Sequence, residues 1–169
     1  TIIVNGVSKA YAMTGWRIGF IAAPEWIVKG CNKLQGQYTS GPCSVSQKAA
    51  EAAYTTSQEC VETMRKAFER RRDLIVELAK DIPGLEVNKP EGAFYLFPKC
   101  SSFFGKSYNG KKIENSTDLA MFLLEVGHVA TVGGDAFGDP YCFRMSYATS
   151  DDNIREAMKR IKDTLALLA

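Results

Sequence analysis

Lys9 and Arg17 lie eight residues apart in the string Gly6-Val7-Ser8-Lys9-Ala10-Tyr11-Ala12-Met13-Thr14-Gly15-Trp16-Arg17-Ile18-Gly19, between two short apolar runs. A lysine amine forms a Schiff base with a carbonyl, and a planar guanidinium grips a phosphate through paired hydrogen bonds. Together they suit a phosphorylated aldehyde. A second arginine, Arg144, sits in Phe143-Arg144-Met145-Ser146-Tyr147. Strand alternation puts Cys142, Arg144 and Ser146 on one face and Phe143, Met145 and Tyr147 on the other. An arginine beside Cys and Ser, rather than among charges, can face a cleft. By type and spacing alone each residue also has an ordinary reading: a surface lysine after a strand, an arginine at a strand start, an arginine on an edge strand.

The elements that must position these residues follow from pattern. Thr1–Val4 reads as a short buried strand and Arg17–Ala23 as another. Thr1 is not an initiator Met, and the first strand reads as cut off from what preceded it. Pro24 opens a helix carrying Trp26, Ile27 and Leu34, and Gly41-Pro42 ends it. Ser44 with Gln47 forms a capping-box pattern for a helix to about Tyr54. A long amphipathic helix from about Gln58 to Ile82 carries Val61, Met64, Phe68, Ile75, Leu78 and Ile82, and Pro83-Gly84 stops it. Its Arg70-Arg71-Arg72 cluster reads as a solvated face. Leu85–Val87 and Ala93–Phe97 read as strands, and 101–115 as a polar loop. Ser116 caps a helix over 117–126, followed by a strand at Val129–Val132. Residues 133–140 form a loop rich in turn residues. Tyr141–Ala148 is a strand, and Ser150 caps a final helix with Ile154, Ile161, Leu165 and Leu168.

The bulk numbers are those of an ordinary globular chain: 169 residues, 46% apolar, 24% charged, net charge +2. A charge this small gives no argument for nucleic acid or a membrane surface. No apolar run approaches the roughly 20 residues that span a bilayer. Five scattered cysteines (Cys31, Cys43, Cys60, Cys100, Cys142), with no Cys-x-x-Cys pair, read as reduced thiols of a cytoplasmic protein. His128 is the only histidine, so a histidine-based metal site or triad is not expected, and we assign no metal.

The string around Lys9 resembles the lysine-attachment signature of class I/II aminotransferases, pyridoxal 5'-phosphate (PLP) enzymes of fold type I. Gly41-Pro42-Cys43-Ser44-Val45-Ser46-Gln47, Pro90-Glu91-Gly92-Ala93-Phe94-Tyr95 and Phe143-Arg144-Met145-Ser146-Tyr147-Ala148-Thr149-Ser150 look like later landmarks of that family, in the family's order. The last is similar to the bacterial aspartate aminotransferase branch. The resemblance implies an α/β fold. Residues 1–57 would be the end of the PLP-binding large domain (two strands plus helices), and 58–169 the small C-terminal α/β domain with a long bridging helix at its start. It implies that Lys9 carries PLP covalently, Arg17 binds the cofactor phosphate and Arg144 binds the substrate α-carboxylate. The activity implied moves an amino group between an amino acid, aspartate by closest resemblance, and a 2-oxo acid, in a homodimer. Gly133 departs from the family pattern, where many relatives have proline; this predicts a looser loop before Arg144.

Two other classes fit parts of the pattern. One is a transcription regulator that uses an aminotransferase-like domain as an effector sensor. The other is a different fold-type-I enzyme, such as a lyase or decarboxylase. The resemblance also implies a further N-terminal stretch with a phosphate cradle, a ring-stacking aromatic and an aspartate for the pyridine nitrogen. The chain by itself is therefore expected to be inactive.

Overall fold

The computed structural model describes residues 1–169, which divide into two compact units, Thr1–Arg65 and Lys66–Ala169. In the first unit, β1 (Ile3–Gly6) pairs antiparallel with β2 (Gly19–Ala22), in the register Val4↔Ile21 and Gly6↔Gly19. The ribbon has no third strand. This overturns the expectation of a buried first strand, since Val4 is 76% exposed. A two-stranded ribbon leaves its outer edges and much of its faces bare. Gly6 is required at the end of the ribbon, because a Cβ there would stand 2.8 Å from the Ile18 carbonyl oxygen.

Helix α1 (Glu25–Tyr38) begins after Pro24, whose φ of −52° suits the helix entry. It buries no residue. Helix α2 (Ser44–Thr55) starts one residue before the capping-box reading requires. Cys43 occupies the cap with no side-chain cap bond, and Gln47 donates to the Pro42 carbonyl instead. The unit's buried side chains are Val7, Ser46 and Ala50. Beside them, Tyr11 and Phe20 meet Tyr54 edge-on, with centroids 5.2 and 5.6 Å apart.

Helix α3 (Glu59–Lys80) crosses from the first unit into the second. The second unit's sheet has the order β3-β7-β6: β3 (Tyr95–Leu96), β6 (Val132–Gly133) and β7 (Phe143–Ser146), all antiparallel. One sheet face, with Leu96, Phe143 and Met145, is buried in a core with Ile75 and Val76 of α3. Leu119 and Leu123 of α4 (Ser116–Glu125) and Ile154 and Ile161 of α5 (Asp151–Leu165) complete it. Leu85–Val87, expected as a strand, makes a single bridge, Glu86↔Lys99. Of the expected strand at 129–132 only Val132 is in a strand, β6, which runs on to Gly133. The expected loop over 101–115 contains a hairpin, β4 (Ser107–Tyr108) with β5 (Lys111–Lys112). Its turn is Asn109-Gly110, both at positive φ (48° and 77°), the conformation a tight two-residue hairpin needs.

Capping decides two helix starts. Asn115, not Ser116, caps α4, accepting from the Asp118 N–H at 2.9 Å. Ser116 is buried and its Oγ accepts from the Gly134 N–H at 3.0 Å, tying α4 to the following loop. Ser150 caps α5 as its sequence position predicts, accepting from Asn153 N–H at 3.2 Å. The arginine cluster is not simply solvated. Arg70 pairs with Asp151 through two contacts of 3.0 and 3.2 Å, and Arg71 Nε lies 3.4 Å from the same carboxylate. Arg72 pairs with Asp73. The cluster therefore fastens α3 to the start of α5.

Candidate active site

After β1 the chain turns sharply. Tyr11 N–H donates to the Val7 carbonyl and Ala12 N–H to the Lys9 carbonyl, with Ala12 at φ 54°. Val7, completely buried, anchors the turn, so that Ser8 and Lys9 project from a fixed point. A 3-10 turn at Thr14–Trp16 ends at Arg17, which is left-handed (φ 53°, ψ 51°). That conformation costs a non-glycine residue on the order of 1 kcal/mol or more. The Arg17 guanidinium donates back to the Thr14 carbonyl at 2.9 Å, which fixes its direction.

The β1–β2 pairing closes the loop and brings the two ends together. Ser8, Lys9 and Arg17 line one cavity of about 520 Å³ with Asn5, Gly6, Ala10, Ile18 and Gly19. No carboxylate lines it. An amine, a guanidinium, a hydroxyl and an amide around one hollow fit an anionic, phosphorylated carbonyl compound. Asn5 was missed at the sequence level: an asparagine in an apolar run carries no signal until the register is known. Its Oδ1 accepts from the Gly6 N–H at 2.7 Å.

Arg144 belongs to the second unit. In β7, Phe143 and Met145 are buried, Arg144 is half-buried and Ser146 is exposed, as alternation requires. Cys142, expected on the open face, is buried instead, because its Sγ donates to Asp139 across the preceding loop. The Arg144 guanidinium lies 3.9 Å from the Phe137 ring centroid and 4.2 Å from that of Tyr95. It makes no ion pair or hydrogen bond within the chain. Its N–H donors are thus left open to solvent on the exposed side of the sheet.

The loop before Arg144 is not loosened by Gly133. Gly133 has φ −58°, which a proline would also adopt, and Thr117 Oγ1 occupies the space a Cβ would take. The next residue, Gly134, donates to both the Cys142 carbonyl and Ser116 Oγ. Neither buried thiol nearby is poised for chemistry. Burial pushes Cys100 up to about 12. Burial and the hydrogen bond to Asp139 push Cys142 up to about 11. His128 stands exposed in a left-handed turn after α4.

These features define a mixed α/β chain carrying a cationic, phosphate-suited hollow in one unit and an unpaired arginine in the other. The model of the aminotransferase class I and II family matches residues 1–161, and the chain belongs to that family. Family membership implies PLP as cofactor. The chain is 48% identical to the bifunctional aspartate aminotransferase and glutamate/aspartate-prephenate aminotransferase of Petunia hybrida, over 99% of this chain and 36% of that protein. The crystal structure of the aspartate aminotransferase from Rhizobium meliloti superposes with a TM-score of 0.96 at 46% identity, covering all of this chain and 42% of that one. The aromatic aminotransferase of Pyrococcus horikoshii superposes with a TM-score of 0.88 at 39% identity, over 98% of this chain and 43% of that one. The chain thus spans about two fifths of the length of the relatives it matches.

Proposed function

We propose that this chain contributes the cofactor lysine, the phosphate arginine and the substrate-carboxylate arginine of a PLP-dependent aminotransferase acting between aspartate and a 2-oxo acid. The observation that carries this reading is the shared cavity of Lys9 and Arg17. Residues 1–57 then close the PLP-binding large domain and 58–169 form the small domain of a homodimer. Five free cysteines suit the cytoplasm.

PLP, when bound, supplies the electron sink that lets a proton leave the α-carbon of an amino acid. Lys9 Nζ would hold the cofactor, and the same amine would serve as the base that carries the proton from the substrate α-carbon. Arg17 binds the phosphate, its fork held by the Thr14 carbonyl, in a cavity that Ser8 also lines. Arg144 binds the α-carboxylate shared by all amino acids and so orients the substrate without reading its side chain.

The test is borohydride reduction of the PLP-loaded full-length protein, followed by peptide mapping. The expected adduct is on Lys9; a pyridoxyl group on any other lysine rejects the assignment. Lys9→Ala should abolish both the adduct and transamination.

A further inference from the structure

We propose that Phe137, with Tyr95, is a positioning residue that holds the Arg144 guanidinium in its carboxylate-binding orientation. The proposal rests on the reading of Arg144 given above. The register builds a cradle on the open face of the sheet. Tyr95 pairs with Ser146, two residues along β7 from Arg144, and so lies on the same face. Val132 pairs directly with Arg144 on the other side. Immediately after β6, the 3-10 turn Gly134–Phe137 swings the Phe137 ring back over the sheet. There it meets Phe97 edge-on at 6.1 Å and covers the guanidinium at 3.9 Å.

An arginine is commonly oriented by an acidic neighbour, but a fixed carboxylate would compete with the substrate's own. Aromatic faces avoid that competition. They attract the cation through the ring quadrupole and leave the in-plane N–H donors open. Phe137 itself remains 44% exposed, so the ring sits at the mouth of the arginine's site rather than in the core. The loop that carries it is pinned at both ends. Gly134 donates to Ser116 and Cys142, and Gly138, left-handed at φ 85°, donates to Asp135. A ring so mounted is set by the fold before substrate arrives, which is what preorganisation requires.

The test compares Phe137→Leu, Phe137→Trp and Arg144→Lys in the PLP-loaded full-length protein, with two readouts. In ¹⁵N–¹H spectra of arginine side chains, the Arg144 Nε–Hε resonance should carry a ring-current shift that Phe137→Leu removes and Phe137→Trp keeps. In kinetics, Phe137→Leu should raise KM for both amino and 2-oxo acid about fivefold or more while kcat changes little, and Phe137→Trp should restore KM. An unmoved Arg144 resonance, or an unchanged KM in Phe137→Leu when Arg144→Lys raises it, overturns the positioning role. A Phe137→Trp variant as weak as Phe137→Leu overturns it too, since the π face would then be irrelevant. If Arg144→Lys itself leaves KM unchanged, the carboxylate role of Arg144 falls, and this proposal falls with it.

Discussion

Arg17 combines a backbone cost with a side-chain gain. Its left-handed conformation would suit glycine better, and its guanidinium spends one donor on the Thr14 carbonyl. What remains of the fork faces the cavity it shares with Lys9. Arg17→Lys keeps the charge and removes the fork. A charge-assisted pair is worth about 1.5–3 kcal/mol, so PLP affinity of the full-length protein should fall about tenfold to a hundredfold by absorbance titration. An affinity within twofold of the parent would remove Arg17 from the phosphate site. The cysteines make a second contrast at this scale. Cys43 is exposed at the start of α2, where the backbone N–H groups of Ser46 and Val45 hold its thiol below the ordinary range. Cys100 and Cys142 are held well above it by burial. Iodoacetamide at neutral pH should therefore label Cys43 and spare Cys100 and Cys142 until the chain unfolds; labelling followed by mass spectrometry checks this.

The elements differ in how much of them could be read in advance. The helices announced themselves: α3 by a long apolar period with Pro83-Gly84 beyond it, α5 by Ser150. The two-residue strands were read less exactly: β3 lies inside the expected strand 93–97 and β6 overlaps the end of the expected strand 129–132, but so short a segment has no period and tertiary pairing sets its bounds. The Asn109-Gly110 hairpin carried its own local signal and was passed over among polar neighbours. The arginine cluster was misjudged for a different reason: Asp151 lies about 80 positions downstream of Arg70 and Arg71. The same limit applied to the site. The string around Lys9 and Arg17 is local and was legible, whereas the two rings over Arg144 come from separate elements, β3 and the turn after β6. The α3–α5 clasp has a pH consequence. Hydrogen bonding to Arg70, with the charge of both arginines, lowers the Asp151 pKa below its ordinary value. A carboxylate depressed in the folded state contributes stability above its unfolded pKa and loses it as pH falls through the folded value. Asp151→Asn should therefore flatten the acid limb of the second unit's stability profile below about pH 4 and change it least there, with its largest cost near neutrality. Denaturant midpoints measured across pH test the sign. Gly134 offers an element-scale test of the loop. An added Cβ would run into the carbonyl oxygens of Asp139 and Cys142, so Gly134→Ala must displace the turn that mounts Phe137. The loss should appear in KM as well as in stability.

At the scale of the molecule, the two units are built unequally. The second has a continuous core to which α3, α4, α5 and the sheet all contribute. Leu123 is fully buried there, and Leu123→Ala should cost about 2–5 kcal/mol. The first unit buries Val7, Ser46 and Ala50 and leaves Trp26 76% and Tyr38 84% exposed. Exposed apolar side chains on a two-stranded ribbon and two helices contribute little to stability, so local opening should be cheap there. Hydrogen exchange of the 169-residue chain should show slow amides in Ile75–Ala79, Leu119–Leu123 and Ile154–Ile161, and fast exchange through α1. The unit with the weaker core is also the one that carries Lys9 and Arg17. Its cavity presents cations and a hydroxyl but no carboxylate to pair with a pyridine nitrogen, the partner that makes a PLP ring an effective electron sink. On the proposed reading, Lys9 would offer an amine and Arg17 a phosphate grip without the group that stabilises the developing charge. The chain alone, incubated with PLP, glutamate and a 2-oxo acid acceptor, should therefore form no measurable 2-oxoglutarate, while the full-length protein does so under the same conditions. Turnover by the purified chain would mean that its own residues complete the site, and would overturn the division of labour drawn from the cavity.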